Sequence, residues 1–418
     1  MISEAAQEAF VWCWLPDAEE PVIAGRLEPA SDLVLFNYGL SYLGRSDAIP
    51  LYLPELPLRR GSIEPRPGLY IAGCIDDASP DAWGKRVIMQ ALLGSAAKDT
   101  DPAALDRLTY LLRSGADRIG ALDFQDTPDV YVPRLENTAT LEELMEAADR
   151  VDRGLPLSPA LDRALLHGSS VGGARPKALL DDDETGGKLI AKFSASGDIY
   201  PVVQGEFCAM ELARRAGLDV ATVRLKDVLG RWALLVERFD RVPGTRRRRA
   251  MVSALTMLEL DELMGRYATY ADLAELIRAR FTDAQATLHE LFSRIVFNIL
   301  VGNNDDHARN HAAFWNGETL RLTPAYDISP GPRSAGEVTQ AMAIGPDGYR
   351  YSKVAGCVRY AGTYSLSERE ARAIVDHQLE VINAEWSDVA EFAELTELER
   401  DYFWHRQFLN PYALEGYA

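Results

Sequence analysis

The sequence predicts an α+β fold in which a small β-rich N-terminal domain precedes a mixed central part and a helical C-terminal part. Short apolar runs separated by turn residues fill the first 95 residues. A glycine-rich loop, alternating strands and a helix occupy the middle of the chain. Segments with apolar residues at helical spacing dominate from Val242 onward, so we expect an all-helical C-terminal lobe.

The first domain, residues 1–95, has the turn-rich composition of compact β structure. Two strands are expected at Phe10–Leu15 and Pro21–Leu27. The segment Pro50–Pro67 is rich in proline and glycine and is expected to be a loop. A helix should follow, capped by Ser79 or Asp81 and ending at Gly94. No residues here have catalytic spacing, so we interpret this region as a docking or capping domain.

The second domain, residues 96–241, should alternate helices and strands. We expect three helices in this domain: one that begins at Thr100, one at 139–150 and one at Gln204–Gly217. The segment Asp152–Pro159 is interpreted as a linker. Its expected strands are Lys188–Phe193, Ala221–Val228 and Trp232–Phe239.

A glycine-rich loop, GSSVGGARPKALL at Gly168–Leu180, opens the strand region of this domain. Glycine lets backbone N–H groups approach a phosphate closely, and Arg175 and Lys177 add positive charge. Lys192 stands amid apolar neighbours in the next strand, where a lysine is suited to pair with α- and β-phosphates. The alternative is a plain glycine hairpin whose Lys192 extends its ammonium group into solvent.

The third domain, residues 242–418, contains the strongest helical pattern of the chain. The expected helix Ala284–Val301 carries its apolar stripe on Leu288, Leu291, Phe292, Ile295, Val296, Ile299 and Leu300. It leads into NNDDHARNHAAF, residues Asn303–Phe314. A capping-box pattern from Ser365 to Glu368 predicts a later helix.

The loop after that helix carries a set of polar residues suited to phosphoryl transfer. Asp305 precedes Asn310 by five positions, and Asp327 follows in TPAYDISP. Protein kinases use such a set, in which the first carboxylate handles the proton of the nucleophile and the amide and second carboxylate hold Mg²⁺. A polar surface loop is the alternative. Zinc binding by His307 and His311 is a weaker one, because residue 308 is not the glutamate of H-E-x-x-H.

Composition limits the partners that the chain can bind. Its net charge is −19 and its pI about 4.8, so broad nucleic-acid binding through this chain alone is not expected. The one basic cluster, Arg246–Arg249, is interpreted as a solvated loop, with an acidic partner as the alternative. Four widely spaced cysteines, the absence of a signal-peptide pattern and the absence of long apolar runs predict a soluble, cytoplasmic protein.

Seven segments, taken together, resemble the HipA family of bacterial serine/threonine kinase toxins. They are SPDAWGKR (79–86), DRIGAL (117–122), SSVGGARPKALL (169–180), IAKF (190–193), VERFDR (236–241), NDDHARN (304–310) and TPAYDISP (323–330). The resemblance implies a two-lobed protein-kinase-like fold behind a family-specific N-terminal domain. It also implies ATP-dependent phosphorylation of a protein, with ATP and Mg²⁺ as cofactors.

The resemblance assigns a role to each matching residue. Asp305 would be the catalytic base and His307 would support its loop, while Asn310 and Asp327 would bind Mg²⁺. The residues implied in ATP binding are Ser170, Val171, Gly172, Gly173, Lys192, Glu237, Phe239 and Tyr326. Ser170 corresponds to an autophosphorylated serine, although the adjacent Ser169 is a second candidate. Phosphorylation adds about −1.5 to −2 charges, so in this loop it should repel ATP and inactivate the enzyme.

The resemblance further implies a small helix-turn-helix antitoxin as partner and an aminoacyl-tRNA synthetase as the substrate class. The strong acidity of this chain leaves contact with DNA to that partner. Two other functions stay open from the residues. One is a small-molecule or lipid kinase on the same fold, since fold does not fix the substrate. The other is a catalytically silent, nucleotide-sensing co-repressor, which the joint presence of Asp305, Asn310, Asp327 and Lys192 disfavours.

Overall fold

The computed structural model describes residues 6–134, 139–155, 157–170, 173–332 and 337–417. The strands in these ranges are β1 (Ala9–Cys13), β2 (Val22–Ala30), β3 (Leu33–Tyr38), β4 (Ser62–Ile63), β5 (Leu122–Gln125), β6 (Lys177–Asp182), β7 (Gly187–Phe193), β8 (Val223–Val228), β9 (Arg231–Glu237), β10 (Met251–Ser253), β11 (Ala312–Trp315) and β12 (Leu320–Leu322). The α-helices are α1 (Leu40–Leu43), α2 (Gly73–Asp76), α3 (Ala82–Leu93), α4 (Arg107–Arg113), α5 (Leu141–Asp152), α6 (Pro159–His167), α7 (Val202–Arg215), α8 (Ala254–Met257), α9 (Tyr270–Arg280), α10 (Ala284–Leu300), α11 (Val354–Arg359), α12 (Glu368–Phe392), α13 (Glu397–Phe403) and α14 (Pro411–Leu414). The α+β class is therefore confirmed.

The chain divides into two compact units. Unit 1 contains residues 1–197, 226–252 and 314–318, and unit 2 contains residues 198–225, 253–313 and 319–418. The strands form a five-stranded sheet ordered β4-β3-β2-β1-β5, a four-stranded sheet ordered β6-β7-β9-β8, and a three-stranded sheet ordered β10-β11-β12. No helix among the described residues has the length and apolarity needed to cross a membrane.

Within unit 1, three helices and the four-stranded sheet share one hydrophobic core. Trp83 and Val87 of α3 pack with Leu144 and Ala148 of α5 and with Phe193 at the end of β7. Thr140 caps α5 through a capping box with Glu143, which satisfies two backbone N–H groups at the helix start. Burial of these apolar faces fixes the sheet that carries the glycine-rich loop and Lys192.

Within unit 2, α10 forms the centre of the helical core. Asp283 caps it, and the predicted stripe residues Leu288, Leu291, Phe292, Ile295, Val296, Ile299 and Leu300 are all buried. This helix packs against α9, α11 and α12. The prediction of the helix and of its buried face is confirmed, and the helix ends where the polar loop at Asn303 begins.

Several predicted boundaries differ from the structure. The expected linker at Asp152–Pro159 includes the end of α5 and the beginning of α6, which the sequence analysis missed. The helix expected from Thr100 is split, because Asp101 caps a short 3₁₀ turn and Asp106 separately caps α4. The capping box of α12 is Ser367 with Glu370, two residues beyond the predicted pair. The mostly helical region after residue 242 also contains β10, β11 and β12.

Candidate functional site

The loop that follows α10 places two adjacent carboxylates in opposite environments. Asp305 is exposed, whereas Asp306 is only 3 % exposed. His307 is exposed and its backbone carbonyl accepts a hydrogen bond from the Asn310 amide at 2.8 Å. Asp305 is thus accessible to a reacting group, while the side chain of Asp306 faces the interior of unit 2.

Asp306 is the centre of a buried hydrogen-bond network that the sequence analysis missed. Its Oδ2 accepts hydrogen bonds from Tyr270 Oη at 2.5 Å and Asn298 Nδ2 at 2.8 Å, and lies 2.9 Å from His311 Nε2. Burial raises the pKa of Asp306, but the nearby His311 ring and these hydrogen bonds outweigh that effect, so its pKa lies below the usual value. Asn303 extends the network through a 3.0 Å bond from its Nδ2 to Asn298 Oδ1.

Asn310 and Asp327 lie side by side in unit 2. Asn310 Nδ2 donates to Asp327 Oδ2 at 3.0 Å, and the buried Asn310 Oδ1 has no hydrogen-bond partner among the described residues. Asp327 has a φ of +60°, which a non-glycine residue adopts only where its surroundings impose it. An amide oxygen without a partner next to a carboxylate is a donor set that fits Mg²⁺.

Tyr326 connects the two loops that carry this pair. Its hydroxyl donates to the carbonyl of Arg309 at 2.6 Å, next to Asn310. Ala325 is fixed from the other side, because its amide donates to Asp219 O at 2.8 Å and its carbonyl accepts from Ala221 N at 2.9 Å. The positions of Asn310 and Asp327 are therefore set by the backbone of both loops.

In unit 1, the end of β9 is held by a buried charge network. Arg238 Nη1 lies 3.0 Å from Asp117 Oδ1, and Arg238 Nη2 lies 2.8 Å from Asp240 Oδ2. Arg241 binds the same two carboxylates, at 2.6 Å and 3.0 Å. Gly120 N donates to Asp240 Oδ2 at 2.8 Å. The matching segments DRIGAL and VERFDR thus form one network, which fixes the backbone of the strand end.

The two predicted adenine contacts lie on that strand end. Glu237 is the last residue of β9 and is opposite Leu189 of β7 in the sheet. The carbonyl of Phe239 accepts a hydrogen bond from Arg249 Nη1 at 3.0 Å. The Phe239 ring packs edge-on against Phe314, with 6.0 Å between centroids. The backbones of Glu237 and Phe239 are therefore both held in place, and the Phe239 carbonyl already has a hydrogen-bond partner within the chain.

The glycine-rich loop gives its two serines different surroundings. Ser169 Oγ donates to Leu166 O at 2.7 Å and accepts from Gly115 N at 3.1 Å. Ser170 Oγ is also buried but has no hydrogen-bond partner among the described residues. Two further residues of the prediction, Val171 and Gly172, lie outside the described residues.

Lys192 lies on the sheet directly opposite a second lysine. In the antiparallel register of β6 and β7, Lys177 pairs with Lys192, so the two side chains project from the same face. Lys177 is 2 % exposed and Lys192 is half-buried. Two opposed cations on one face are unfavourable unless anionic groups lie nearby. The arrangement therefore favours an anionic ligand or anionic side chains at this face.

The described residues do not support two alternative interpretations. They contain no group of three or more His, Cys, Asp or Glu side chains that could hold a metal, and His311 Nε2 contacts Asp306, so the zinc alternative loses its basis. The basic cluster Arg246–Arg249 contacts unit 1 itself. Arg246 pairs with Glu20 at 2.7 Å, and the Arg248 guanidinium lies 3.5 Å from the centre of the Trp14 ring.

Comparison with known proteins identifies the family. The family model of the HipA-like C-terminal domain matches residues 169–386, more than half of the chain. The chain belongs to the HipA family. The matched range contains the loops of Ser170, Lys192, Asp305, Asn310 and Asp327.

Individual relatives of this HipA-like chain agree with that assignment. It is 27 % identical over 320 residues to the putative kinase Y4mE of Sinorhizobium fredii, covering 70 % of this chain and 71 % of that protein. It is 30 % identical over 148 residues to the serine/threonine-protein kinase toxin HipA of Shewanella oneidensis, covering 31 % of this chain and 34 % of that protein.

A solved structure shows the same fold. It is that of the S. oneidensis toxin–antitoxin complex of HipA, HipB and operator DNA, whose matching chain aligns with a TM-score of 0.65 at 20 % identity. The alignment covers 96 % of this chain and 99 % of that chain. The predicted kinase-like HipA fold is therefore confirmed.

Proposed function

We propose that this chain is an ATP-dependent serine/threonine protein kinase. The observation that carries the proposal is the Asn310–Asp327 pair, in which a buried amide oxygen without a partner lies beside a carboxylate, with the exposed Asp305 on the same loop as Asn310. Relatives named as kinases support it. Lys192, which is half-buried on the sheet of unit 1, is the residue proposed to pair with phosphate.

The proposed roles combine the chemistry of the side chains with the roles that the family resemblance implies. Asp305, as the exposed carboxylate, accepts the proton of the substrate hydroxyl. Asn310 and Asp327 offer oxygen ligands to Mg²⁺, and Lys192 pairs with phosphate oxygens. Bound Mg-ATP supplies the phosphoryl group that is transferred. Glu237 and Phe239 contact adenine through their backbone, Tyr326 lies near the ring, and His307 supports the loop that carries Asp305.

Ser170 is the proposed site of autophosphorylation. The hydroxyl of Ser169 is engaged at both ends, by Leu166 O and Gly115 N, whereas that of Ser170 has no partner among the described residues. Modification of Ser170 therefore breaks no existing hydrogen bond of its hydroxyl. Because Ser170 is 1 % exposed, it has to leave its buried position before it can react.

A direct test is phosphate transfer from γ-labelled ATP in the presence of Mg²⁺, followed by intact-mass and peptide analysis. Asp305→Ala should retain ATP binding but lose transfer by about 10²–10⁴-fold, because one catalytic group is removed. Asp327→Ala should weaken the binding of Mg-ATP itself. Ser170→Ala should remove the self-modification, and Ser169→Ala should not.

The control is Asp401→Ala, which removes an exposed carboxylate from α13, outside the segments that carry the predicted site residues. It should transfer phosphate at the parent rate. Equal rates for Asp305→Ala and the parent would contradict the proposed role of Asp305. A labelled lipid or small molecule in place of a protein would favour the alternative kinase class, and ATP binding without transfer by the parent chain would favour the silent co-repressor.

The structural neighbour is a HipA protein in complex with HipB and operator DNA. We therefore propose a small helix-turn-helix antitoxin as the partner of this chain. The proposed substrate is a cytoplasmic protein of the aminoacyl-tRNA synthetase class. The net charge of −19 supports a division of roles in which the partner alone contacts DNA.

A further inference from the structure

The N-terminal half of α3 donates two hydrogen bonds to the C-terminal part of the glycine-rich loop. Trp83 Nε1 donates to the carbonyl of Lys177 at 2.9 Å, and Arg86 Nη2 donates to the carbonyl of Ala174 at 2.7 Å. The Arg86 guanidinium also lies 5.1 Å from the centre of the Trp83 ring, which orients both donors together. One short helical segment, more than 80 residues earlier in the chain, therefore binds the loop backbone.

Gly84 allows this close approach. It is the third residue of α3, where alanine would favour the helix more than glycine does. A Cβ atom at this position would lie 1.8 Å from the carbonyl oxygen of Ser169 and 2.9 Å from Pro80 Cβ. The backbone of the glycine-rich loop thus occupies the space that any other residue at position 84 would need.

Asp81 and Lys177 form a charged pair under the same loop. Lys177 Nζ lies 3.5 Å from Asp81 Oδ2, and the Lys177 side chain is 2 % exposed. A Cβ on Gly173, which has a φ of +115°, would lie 2.1 Å from that ammonium nitrogen. Asp81 Oδ1 separately accepts from Gly84 N at 3.0 Å and caps α3. One carboxylate therefore links the start of α3 to the cation beneath Gly173.

We propose that Asp81 and Lys177 are positioning residues for the glycine-rich loop, and that the segment Pro80–Arg86 is the platform that holds this loop in its ATP-binding conformation. The proposal rests on the proposed kinase function and extends it to the first domain, which the sequence predicts to be a docking or capping domain. Loss of either member should loosen the loop, because the attraction between Asp81 at the start of α3 and Lys177 in the loop strand is then removed and the remaining buried charge is less well compensated.

The first experiment measures how easily the glycine-rich loop opens, and it does not depend on kinase activity. Hydrogen–deuterium exchange of the peptide covering residues 168–180 should be about tenfold faster in Lys177→Met and Asp81→Asn than in the parent, because local opening becomes easier. Asparagine still caps α3, so Asp81→Asn should keep the helix and the unfolding midpoint. The matched control is Lys188→Met, which removes the ammonium group paired with Asp181 on the same hairpin and should leave exchange unchanged.

The second experiment measures the KM for ATP. Lys177→Met and Asp81→Asn should raise it about tenfold while kcat changes much less, because a loosened loop weakens ground-state binding of the phosphates. Gly84→Ala should have the same effect by displacing the Ser169 carbonyl. Gly197→Ala is its control, since a Cβ there meets nothing within 4 Å.

Unchanged loop exchange in both Lys177→Met and Asp81→Asn would overturn the proposal, as would a fall in kcat with an unchanged KM for ATP. Failure of the kinase function itself is distinguishable, because then the parent transfers no phosphate while the difference in loop exchange persists.

Discussion

Two adjacent aspartates in the loop after α10 differ in burial and in their hydrogen-bond partners. Asp305 is exposed, while Asp306 is buried and contacts Tyr270, Asn298 and His311. A buried carboxylate that accepts several hydrogen bonds stays ionised and fixed, which suits it to orient its neighbours. Asp306 therefore holds the loop in a conformation that keeps Asp305 at the surface.

The substitution Asp306→Asn tests whether Asp306 orients the loop that carries Asp305. The change preserves the shape but removes the charge that strengthens the three hydrogen bonds. We expect phosphate transfer to fall by up to about 10²-fold, because a small displacement of Asp305 is enough to misalign the reacting atoms. The KM for ATP should change little. Steady-state kinetics check this, and a parent-like kcat would show that Asp306 does not orient the loop.

The sequence predicts roles for Asp305, Asn310 and Asp327 from their residue types and spacing, and the structure places Asn310 beside Asp327. The sequence analysis missed Asp306 and His311, although both stand in the same motif, DDHARNH. The missing information is burial, because the partners Tyr270 and Asn298 come from two helices, α9 and α10, whose packing no local pattern reveals. The five-residue spacing of Asp306 and His311 is the signal that could have suggested a pair.

At the scale of elements, the strand end at Val236–Arg241 is fixed by charges that lie about 120 residues apart in the chain. Arg238 and Arg241 share Asp117 and Asp240, and all four residues are buried. Burial raises the pKa of Asp240, but Arg238 and Arg241 outweigh that effect and hold it below its usual value. The network makes this segment rigid on the side that faces the rest of unit 1.

Breaking the network should destabilise unit 1. Arg238→Met leaves Asp117 and Asp240 with one guanidinium instead of two, so we expect a loss of about 3–5 kcal/mol in the free energy of unfolding. Urea unfolding measures it. Arg246→Met is the control, because its exposed ion pair with Glu20 should contribute about 0–1 kcal/mol. Equal stabilities of the two variants would contradict the structural role of the network.

The sequence predicted elements where local patterns suffice and missed them where tertiary contacts decide. The apolar stripe of α10 is long and periodic, so both the helix and its buried face could be predicted. The helix α6 is nine residues long and begins at a proline after a stretch that contains a glycine and another proline, which resembles a linker. The contacts of α3 with the glycine-rich loop join segments of separate predicted domains, so no spacing rule could indicate them.

At the scale of the whole molecule, the charge distribution supports the proposal that this chain does not contact DNA directly. Its net charge is −19, and its one basic cluster is committed to contacts within unit 1. Arg246 pairs with Glu20, Arg247 lies near Asp17 and Glu19, and Arg248 packs on Trp14. Binding to a duplex depends on cations that replace condensed counterions along the phosphates. To bind phosphates, these arginines would have to exchange their contacts within unit 1, and the acidic chain offers little further positive charge, which supports the proposed division of roles.

The purified chain alone should therefore show no saturable binding to a labelled operator duplex at about 0.15 M salt, a condition in which non-specific DNA binders still reach dissociation constants of about 10⁻⁴–10⁻⁶ M. Addition of the proposed helix-turn-helix partner should produce a complex that contains the duplex and both proteins. Fluorescence anisotropy measures the binding and size-exclusion chromatography the composition, with the partner alone as the control.

If the chain alone binds the duplex, with an affinity that falls steeply as salt rises, it contacts phosphates directly and the division of roles between the two proteins is wrong. If partner and duplex elute together without this chain, the proposed partnership is wrong, while the kinase function stands on its own test.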